Sequence, residues 1–178
     1  AVATARKAEV VIVTAGITEG EFQDRAMLGL PGHQEEMLLQ LAATGKPVIV
    51  VLIGGSAITI QHWIDKTKAV LAAWYPGEEG GHAIATVLFG DYNPAGRLPV
   101  TYPMHEAQLP LVYNHKPTGR GDDYNNLSGS PLFPFGFGLS YTSFEYTDFL
   151  FLQQKLNKGD TAFIYCTIKN IGTRAGDE

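Results

Sequence analysis

The sequence contains little that would support metal, thiol or nucleic-acid chemistry. Its single cysteine, Cys166, excludes an internal disulfide and a cysteine-based zinc site. The five histidines never reach the His-Glu-x-x-His spacing of a catalytic zinc helix. Lysine and arginine do not occur in runs, and the net charge of −5 argues against binding to a phosphate backbone or a membrane surface. We therefore expect no metal, no cofactor, no nucleic acid and no membrane among its partners.

Long apolar runs and a leader are also missing. No stretch approaches the roughly 20 apolar residues of a membrane-spanning helix, and the first residues lack the apolar core of a signal peptide. The sequence begins with Ala1 rather than methionine, so we expect a piece of a longer polypeptide, truncated at both ends. With 45% hydrophobic and 17% charged residues, the 178 residues suffice for one packed domain and part of another.

The first part of the chain alternates β-branched runs with helical patterns, which is typical of a layered α/β sandwich with a mostly parallel sheet. An earlier first strand is expected to be missing. The predicted strands cover residues 10–14, 47–53 and 69–74, with helices over 33–44, 59–66 and 80–89 and edge strands over 98–101 and 109–112.

The pattern changes near residue 144. Two strands are predicted over residues 144–153 and 161–169, separated by the turn residues 157–160. This pair is typical of the start of an antiparallel β-sandwich. The predicted domains are therefore residues 1–143 and residues 144–178, with a long polar loop over residues 114–134 in the first.

Three loops follow the carboxyl ends of the predicted parallel strands, where ligands bind in such sheets. The loop over residues 15–32 is the longest and carries Glu19, Glu21, Asp24 and Arg25. Glycoside hydrolysis needs a carboxylic acid whose pKa is tuned by burial or by neighbouring charges, and clustered acids beside an arginine can provide that tuning. The alternative interpretation is an acidic loop that is simply solvated.

The other two loops carry weaker signals. Gly54-Gly55-Ser56 matches neither phosphate-binding glycine pattern, and its glycines are predicted to allow a close backbone approach. Trp74 and Tyr75 end the third predicted strand. They could stack on a sugar ring, although a buried core position is the simpler interpretation for Trp74.

The chain resembles the C-terminal α/β domain of family 3 glycoside hydrolases, the β-glucosidase and β-xylosidase family. The tail from residue 144 to Gly172 is similar to the start of the fibronectin type III-like domain found in many members. The matching segments are residues 21–25 (EFQDR), 30–34 (LPGHQ), 45–51 (GKPVIVV), 73–81 (AWYPGEEGG), 88–99 (LFGDYNPAGRLP) and 134–142 (PFGFGLSYT).

This resemblance implies a retaining mechanism shared by two domains. An aspartate on a preceding barrel domain attacks the anomeric carbon, and the C-terminal domain supplies the general acid/base about 5–5.5 Å away. The implied activity is exo-acting hydrolysis of terminal non-reducing β-D-glucosyl residues, with β-xylosides as the alternative. The piece alone is expected to be inactive because its nucleophile lies on the barrel.

The position of the acid/base differs between groups of the family. In one group it follows a Tyr-x-Glu-Gly pattern, but residues 113–124 contain no glutamate here. In another group it lies four residues before an arginine, which corresponds to Glu21. Residues 113–119 also resemble that second group, the bacterial periplasmic β-glucosidases. The resemblance thus implies Glu21 as the catalytic residue, with Glu19 as the alternate.

The same resemblance gives the remaining expectations. Asp24 and Arg25 would contact substrate hydroxyls or form a structural ion pair. The substrate would be a β-linked oligosaccharide or an aryl glycoside, and the location periplasmic or secreted, while a homodimer is left open. The competing hypothesis is a non-catalytic carbohydrate-binding or interaction domain that kept the fold.

Overall fold

A computed structural model of the chain describes residues 1–116 and 121–178. Residues 117–120 lie outside the described residues, and with them part of the predicted 114–134 loop and the end of the 113–119 segment. The described chain divides into two units. The first contains residues 1–84 and 98–137, and the second contains residues 85–97 and 138–178.

The first unit is built on a three-stranded parallel sheet with the order β1-β2-β3. Its strands are β1, Val11–Gly16; β2, Val48–Ile53; and β3, Ala69–Trp74. Val11 lies opposite Val48, and Ile49 lies opposite Ala69. Strand β2 is central, so its apolar side chains are covered on both faces, as its continuous β-branched run predicts. The predicted α/β class is confirmed.

Helices α1, Val2–Ala5, and α2, Gln34–Ala42, belong to the first unit, whereas helix α3, Gly80–Phe89, begins in it and continues into the second unit. Helix α2 follows Gly32, which has a left-handed φ of 65°. Its first turn contains two glutamates, which suit the positive end of the helix dipole, and it buries Leu38 and Leu41. The core between α2 and the sheet includes Val13, Val48, Val50, Leu52 and Trp63.

Three predicted elements of this unit are wrong. Only a short 3-10 turn, Ile64–Lys66, forms where a helix over 59–66 was predicted, and the backbone N–H of Thr59 donates to Leu28 O at 2.9 Å. Residues 98–101 and 109–112 form no strand. The neighbouring Tyr102 makes only an isolated bridge, with Phe133.

The second unit contains an antiparallel pair, β4, Phe144–Phe151, and β5, Ile164–Asn170. Phe144 lies opposite Asn170. Hydrogen bonds explain why residues 85–97 belong to this unit. The Asn93 side chain accepts from the backbone N–H of Tyr141 at 2.7 Å, and Tyr141 Oη donates to Val87 O at 2.7 Å.

Side chains on both faces of the β4–β5 pair are exposed, in contrast to those of β2. The exposed apolar side chains include Phe149, Leu150, Phe151, Ile164, Tyr165 and Ile168. Both predicted strands are present, and their ends lie within three residues of the predicted ones. Their assignment to a fibronectin type III-like domain stays a prediction. None of the helices in the described parts of the chain has the length and apolar character needed to cross a membrane.

Candidate functional site

The loop that follows β1 lies at the carboxyl edge of the parallel sheet and is fastened at its base to helix α2. The Gln34 side chain closes a two-way amide pair with the backbone of Gly16, because Nε2 donates to Gly16 O and the Gly16 N–H donates to Oε1, each at 2.8 Å. Further along, the N–H of Leu30 donates to the Glu35 carboxylate at 3.3 Å. The start and the end of the loop are therefore fixed to one helix.

Glu19 is the centre of the hydrogen-bond network in this loop. Its Oε2 accepts from the Gly55 N–H at 2.7 Å and from Tyr75 Oη at 3.1 Å. Its Oε1 accepts from the Ser56 hydroxyl and, at 3.3 Å, from Arg25 Nε. The hydrogen bond from Ser56, followed by those from Gly55 and Tyr75 and the charge of Arg25, outweighs partial burial and lowers the pKa of Glu19. The carboxylate is therefore held in its charged form.

Arg25 is committed to the same network. Besides Glu19, its guanidinium donates to Ser56 Oγ at 2.7 Å and to Ala57 O at 3.2 Å. The side chains of Arg25 and Glu19 are only 19% and 21% exposed. The ion pair joins positions 19 and 25 and so closes a small turn between them. We call Glu19, Arg25, Gly55, Ser56 and Tyr75 the neck.

Residues 20–24, between the two charged neck residues, form the tip of the loop. The Gln23 N–H donates to Gly20 O at 3.1 Å, which makes a tight turn. Phe22 has a left-handed φ of 65°, and it is 93% exposed. The carboxylates of Glu21 and Asp24 are exposed, and within the described part of the chain they have neither a hydrogen bond nor an ion pair. The tip therefore presents two carboxylates and an aromatic ring to solvent.

The loop that follows β2, which contains Gly55 and Ser56, leaves space for the Glu19 carboxylate. A Cβ atom on Gly55 would lie 2.5 Å from Tyr75 Cε2 and 2.9 Å from Glu19 Oε2, so only glycine fits there without displacement. Below it, buried Tyr102 fixes the backbone of Ile58, accepting from its N–H at 3.1 Å and donating to its carbonyl at 2.8 Å. Burial raises the pKa of Tyr102. Gly54 and Gly55 thus allow a close approach, but of side chains rather than of the neighbouring backbone that the sequence predicted.

The structure separates the four residues predicted from sequence into two pairs. Glu19 and Arg25 contact each other in the neck, whereas Glu21 and Asp24 lie on the tip. Sequence analysis missed the roles of Ser56 and Tyr75 as partners of the loop acids. Ser56 lies three residues after β2, and Tyr75 directly follows β3. These positions were the signal that could have found them, because neighbouring parallel strands end at one edge of the sheet.

The space around the neck limits how a ligand could bind. The cavity beneath it has a volume of about 10 Å³, enough for one water molecule. Any larger ligand at this edge would therefore lie outside that cavity. Within residues 1–116 and 121–178, no three His, Cys, Asp or Glu side chains are grouped so that they could hold a metal ion.

Both the sequence and the fold of the chain are similar to those of known proteins. The model of the glycosyl hydrolase family 3 C-terminal domain matches residues 1–141. The periplasmic beta-glucosidase of Salmonella typhimurium is 35% identical over 189 residues, covering 99% of this chain and 25% of that protein. The beta-xylosidase of Formosa agariphila is 37% identical over 185 residues, covering 100% of this chain and 25% of that protein.

The solved structures give the same result. The crystal structure of beta-glucosidase from Listeria innocua in complex with gluconolactone superposes with a TM-score of 0.89 at 31% identity, over 98% of this chain and 26% of that one. The chain thus spans about a quarter of the length of the proteins it matches. Since the family model extends over residues 1–141 of 178, the chain belongs to the family of glycosyl hydrolase family 3 C-terminal domains.

Proposed function

We propose that this chain is the C-terminal part of a retaining, exo-acting β-glucosidase, and that Glu21 is its general acid/base. The observation that carries the proposal is the division of the loop after β1. Glu19 and Arg25 use their polar atoms within the neck, whereas the Glu21 carboxylate is exposed on the tip without an internal partner. A carboxyl in that state is free to meet a glycosidic oxygen supplied from outside the chain.

The proposed reaction has two proton transfers at the Glu21 carboxyl. In the first step the protonated acid gives its proton to the glycosidic oxygen while the bond from that oxygen to the anomeric carbon breaks. An aspartate on a barrel domain forms the covalent glycosyl ester. In the second step the Glu21 carboxylate takes a proton from water, and the resulting attack on the ester releases the sugar and regenerates both carboxyl groups.

The alternate assignment, Glu19 as the acid, has less support. The lowered pKa of Glu19 means that the proton needed for the first step is bound less readily than by an ordinary glutamate. Its two oxygens already accept four hydrogen bonds. The guanidinium of Arg25 donates to Glu19, Ser56 and Ala57, which favours an indirect role for it. Asp24 is exposed on the tip, where it could contact a substrate hydroxyl.

The substrate class follows from the relatives. The Salmonella relative is a periplasmic beta-glucosidase, and the Formosa relative is a beta-xylosidase of similar identity. A β-glucosidase therefore comes first, with a β-xylosidase as the second candidate, acting on a β-linked oligosaccharide or an aryl glycoside. The Salmonella relative also supports a periplasmic or secreted location.

The remaining parts of the proposal concern the assembly. A preceding barrel domain of the same enzyme is the principal partner, which is supported by the quarter-length match to the relatives. Residues 144–178 would begin a fibronectin type III-like domain, supported by the antiparallel β4–β5 pair and its exposed apolar side chains. A homodimer is an open alternative to a monomer.

The test is the Glu21→Gln variant of the full-length polypeptide that carries this chain. Activity is measured on aryl β-glucosides and β-xylosides with good and poor leaving groups. Glu21→Gln should lower kcat/KM by about 10²–10⁴-fold for poor leaving groups, because these need the proton. Activated glycosides should lose much less, and azide should restore their turnover by replacing water in the second step.

Glu9→Gln is the matched control, since Glu9 is an exposed glutamate just before the amino end of β1, whereas the loop that carries Glu21 follows its carboxyl end. It should keep the parent rates on every substrate. Near-parental rates for Glu21→Gln would exclude the assignment. Absence of any glycosidase activity in the unaltered full-length polypeptide would instead support the non-catalytic hypothesis.

A further inference from the structure

We propose that Glu19 is a positioning residue that holds the tip of the loop in the conformation in which Glu21 reaches the leaving-group oxygen. The inference rests on the proposed function of Glu21. It assigns to the neck a role in catalysis that is distinct from proton transfer: Glu19 fixes where the acid is, and Glu21 moves the proton.

Glu19 connects the loops that follow the three parallel strands. Glu19 itself follows β1, its partners Gly55 and Ser56 follow β2, and Tyr75 follows β3. The loops that follow three neighbouring strands thus make contact through one carboxylate. The rigid sheet sets the position of Glu19, and Glu21 is only two residues further along the chain.

The ion pair between Glu19 and Arg25 also closes the turn formed by residues 20–24. The Glu19–Arg25 pair fixes both ends of residues 20–24, so the tip has few ways to move as a whole. The Ser56 hydroxyl reinforces this closure, because it donates to Glu19 and accepts from Arg25. Opening the pair would let the turn swing, and a displacement of about 1 Å at a reacting group can cost about 10²-fold in rate.

The carboxylate of Glu19 cannot be replaced by a neutral amide of the same shape. Each carboxylate oxygen accepts one N–H that has no alternative, from Gly55 at Oε2 and from Arg25 at Oε1. A glutamine side chain offers one oxygen and one NH₂ group. Whichever way its amide turned, one of those two N–H groups would face another donor. The isosteric Glu19→Gln change should therefore open the neck.

The experiment compares Glu19→Gln with Glu21→Gln in the full-length polypeptide, using kcat/KM on poor and good leaving groups, its pH profile and azide. For Glu19→Gln we expect a loss of about 10–100-fold on poor leaving groups and a change below about 3-fold on 2,4-dinitrophenyl glycosides, whose departure needs no acid. The alkaline limb of the profile should remain, and azide should have no effect, because the Glu21 carboxyl is still present.

A milder variant guards against misfolding. Tyr75→Phe removes one donor to Oε2 while leaving the Glu19–Arg25 pair intact. It should lower kcat/KM on poor leaving groups by roughly 2–5-fold, in line with one lost hydrogen bond, and again spare activated glycosides. Glu19→Asp keeps the charge and should recover part of the Glu19→Gln loss.

Each other outcome overturns the inference in a recognisable way. Equal losses on both kinds of leaving group, in proportion to the folded fraction, would show a structural role only. Azide rescue and a missing alkaline limb in Glu19→Gln would make Glu19 the acid itself and remove the proposed role of Glu21. Parental rates in Glu19→Gln beside a strongly impaired Glu21→Gln would leave the proposed function intact and exclude the positioning role.

Discussion

Two neck residues, Glu19 and Arg25, lie within the same seven residues as the tip, yet the neck and the tip differ in exposure and in bonding. In the neck, Glu19 and Arg25 are mostly covered and pair with each other and with groups of two other loops. On the tip, Glu21, Phe22 and Asp24 are exposed. A carboxylate with four donors is stabilised as an anion, whereas one without partners can exchange a proton with whatever it meets.

This difference shows that neighbours in sequence can receive opposite roles from residues far away in the chain. Glu19 and Glu21 are separated by one residue, but three of the four partners of Glu19 are 36, 37 and 56 positions further on. The parallel sheet brings those positions together. If the comparison is correct, substitutions in the neck should change the stability and mobility of the tip, and substitutions on the tip should leave the neck intact.

The largest effect on the neck is expected from Gly55→Ala. The new Cβ would meet Tyr75 Cε2 at 2.5 Å and Glu19 Oε2 at 2.9 Å, so at least one partner must move. Overpacking of this kind costs about 1–3 kcal/mol. Denaturant unfolding followed by tryptophan fluorescence should show that loss, and hydrogen exchange should become faster in residues 18–27.

The matched control is Gly81→Ala in helix α3, where an added Cβ has no atom within 4 Å. It should be neutral or stabilising by about 0.5–1 kcal/mol, since alanine is the better helix former. A Gly55→Ala variant with parental stability and exchange would mean that the loop that follows β2 does not constrain Glu19.

A comparable loss is expected from Tyr102→Phe, which removes a hydroxyl that supports the neck. The variant would leave the buried N–H and carbonyl of Ile58 without the hydroxyl that pairs with both. Unpaired buried groups cost about 1–3 kcal/mol, and we expect about 2 kcal/mol here. Tyr113→Phe is the control because that side chain is largely exposed. Equal unfolding midpoints for the two variants would contradict the supporting role of Tyr102.

The charge of Glu19 predicts a pH dependence of stability. The pKa of Glu19 in the folded chain lies below the ordinary glutamate value of 4.5. Its ionised form therefore stabilises the fold above pH 4.5, and this contribution is lost as the pH falls through the folded pKa. Between neutral pH and pH 3, the parent chain should therefore lose more stability than Glu19→Gln does. Urea midpoints measured across that range give the comparison.

Ser56→Ala sharpens this test, because the Ser56 hydroxyl makes the largest contribution to the lowered pKa. Its loss of stability on acidification should fall between those of the parent and Glu19→Gln. If parent and Glu19→Gln curves ran parallel at all pH values, the four hydrogen bonds would not favour the charged form of the carboxylate in solution.

The sequence predicted the three parallel strands and the two longer helices well, because their apolar periodicity is local. It failed where a partner is distant. Residues 59–66 follow a helical pattern, but Thr59 pairs with Leu28 and Ile58 pairs with Tyr102. Residues 98–101 favour extended backbone, but Leu98 bonds to Phe137 and joins no strand. The candidate site shows the same limit: composition identified the acidic loop and the resemblance placed Glu21 before Glu19, but only the fold shows that Glu19 is bound in the neck while Glu21 is exposed.

The smallest predicted effect tests the tip alone. Phe22 has a φ of 65°, a conformation that costs a non-glycine residue about 1–2 kcal/mol, while its ring buries almost nothing. Phe22→Gly removes that strain but adds backbone freedom to the unfolded chain worth about 0.5–1 kcal/mol. Phe22→Ala keeps the strain. The glycine variant should therefore be more stable than the alanine variant by about 0.5–1 kcal/mol, with unchanged hydrogen exchange at Gly55 and Ser56. Equal stability, or faster exchange at those neck positions, would mean that tip and neck are not separable.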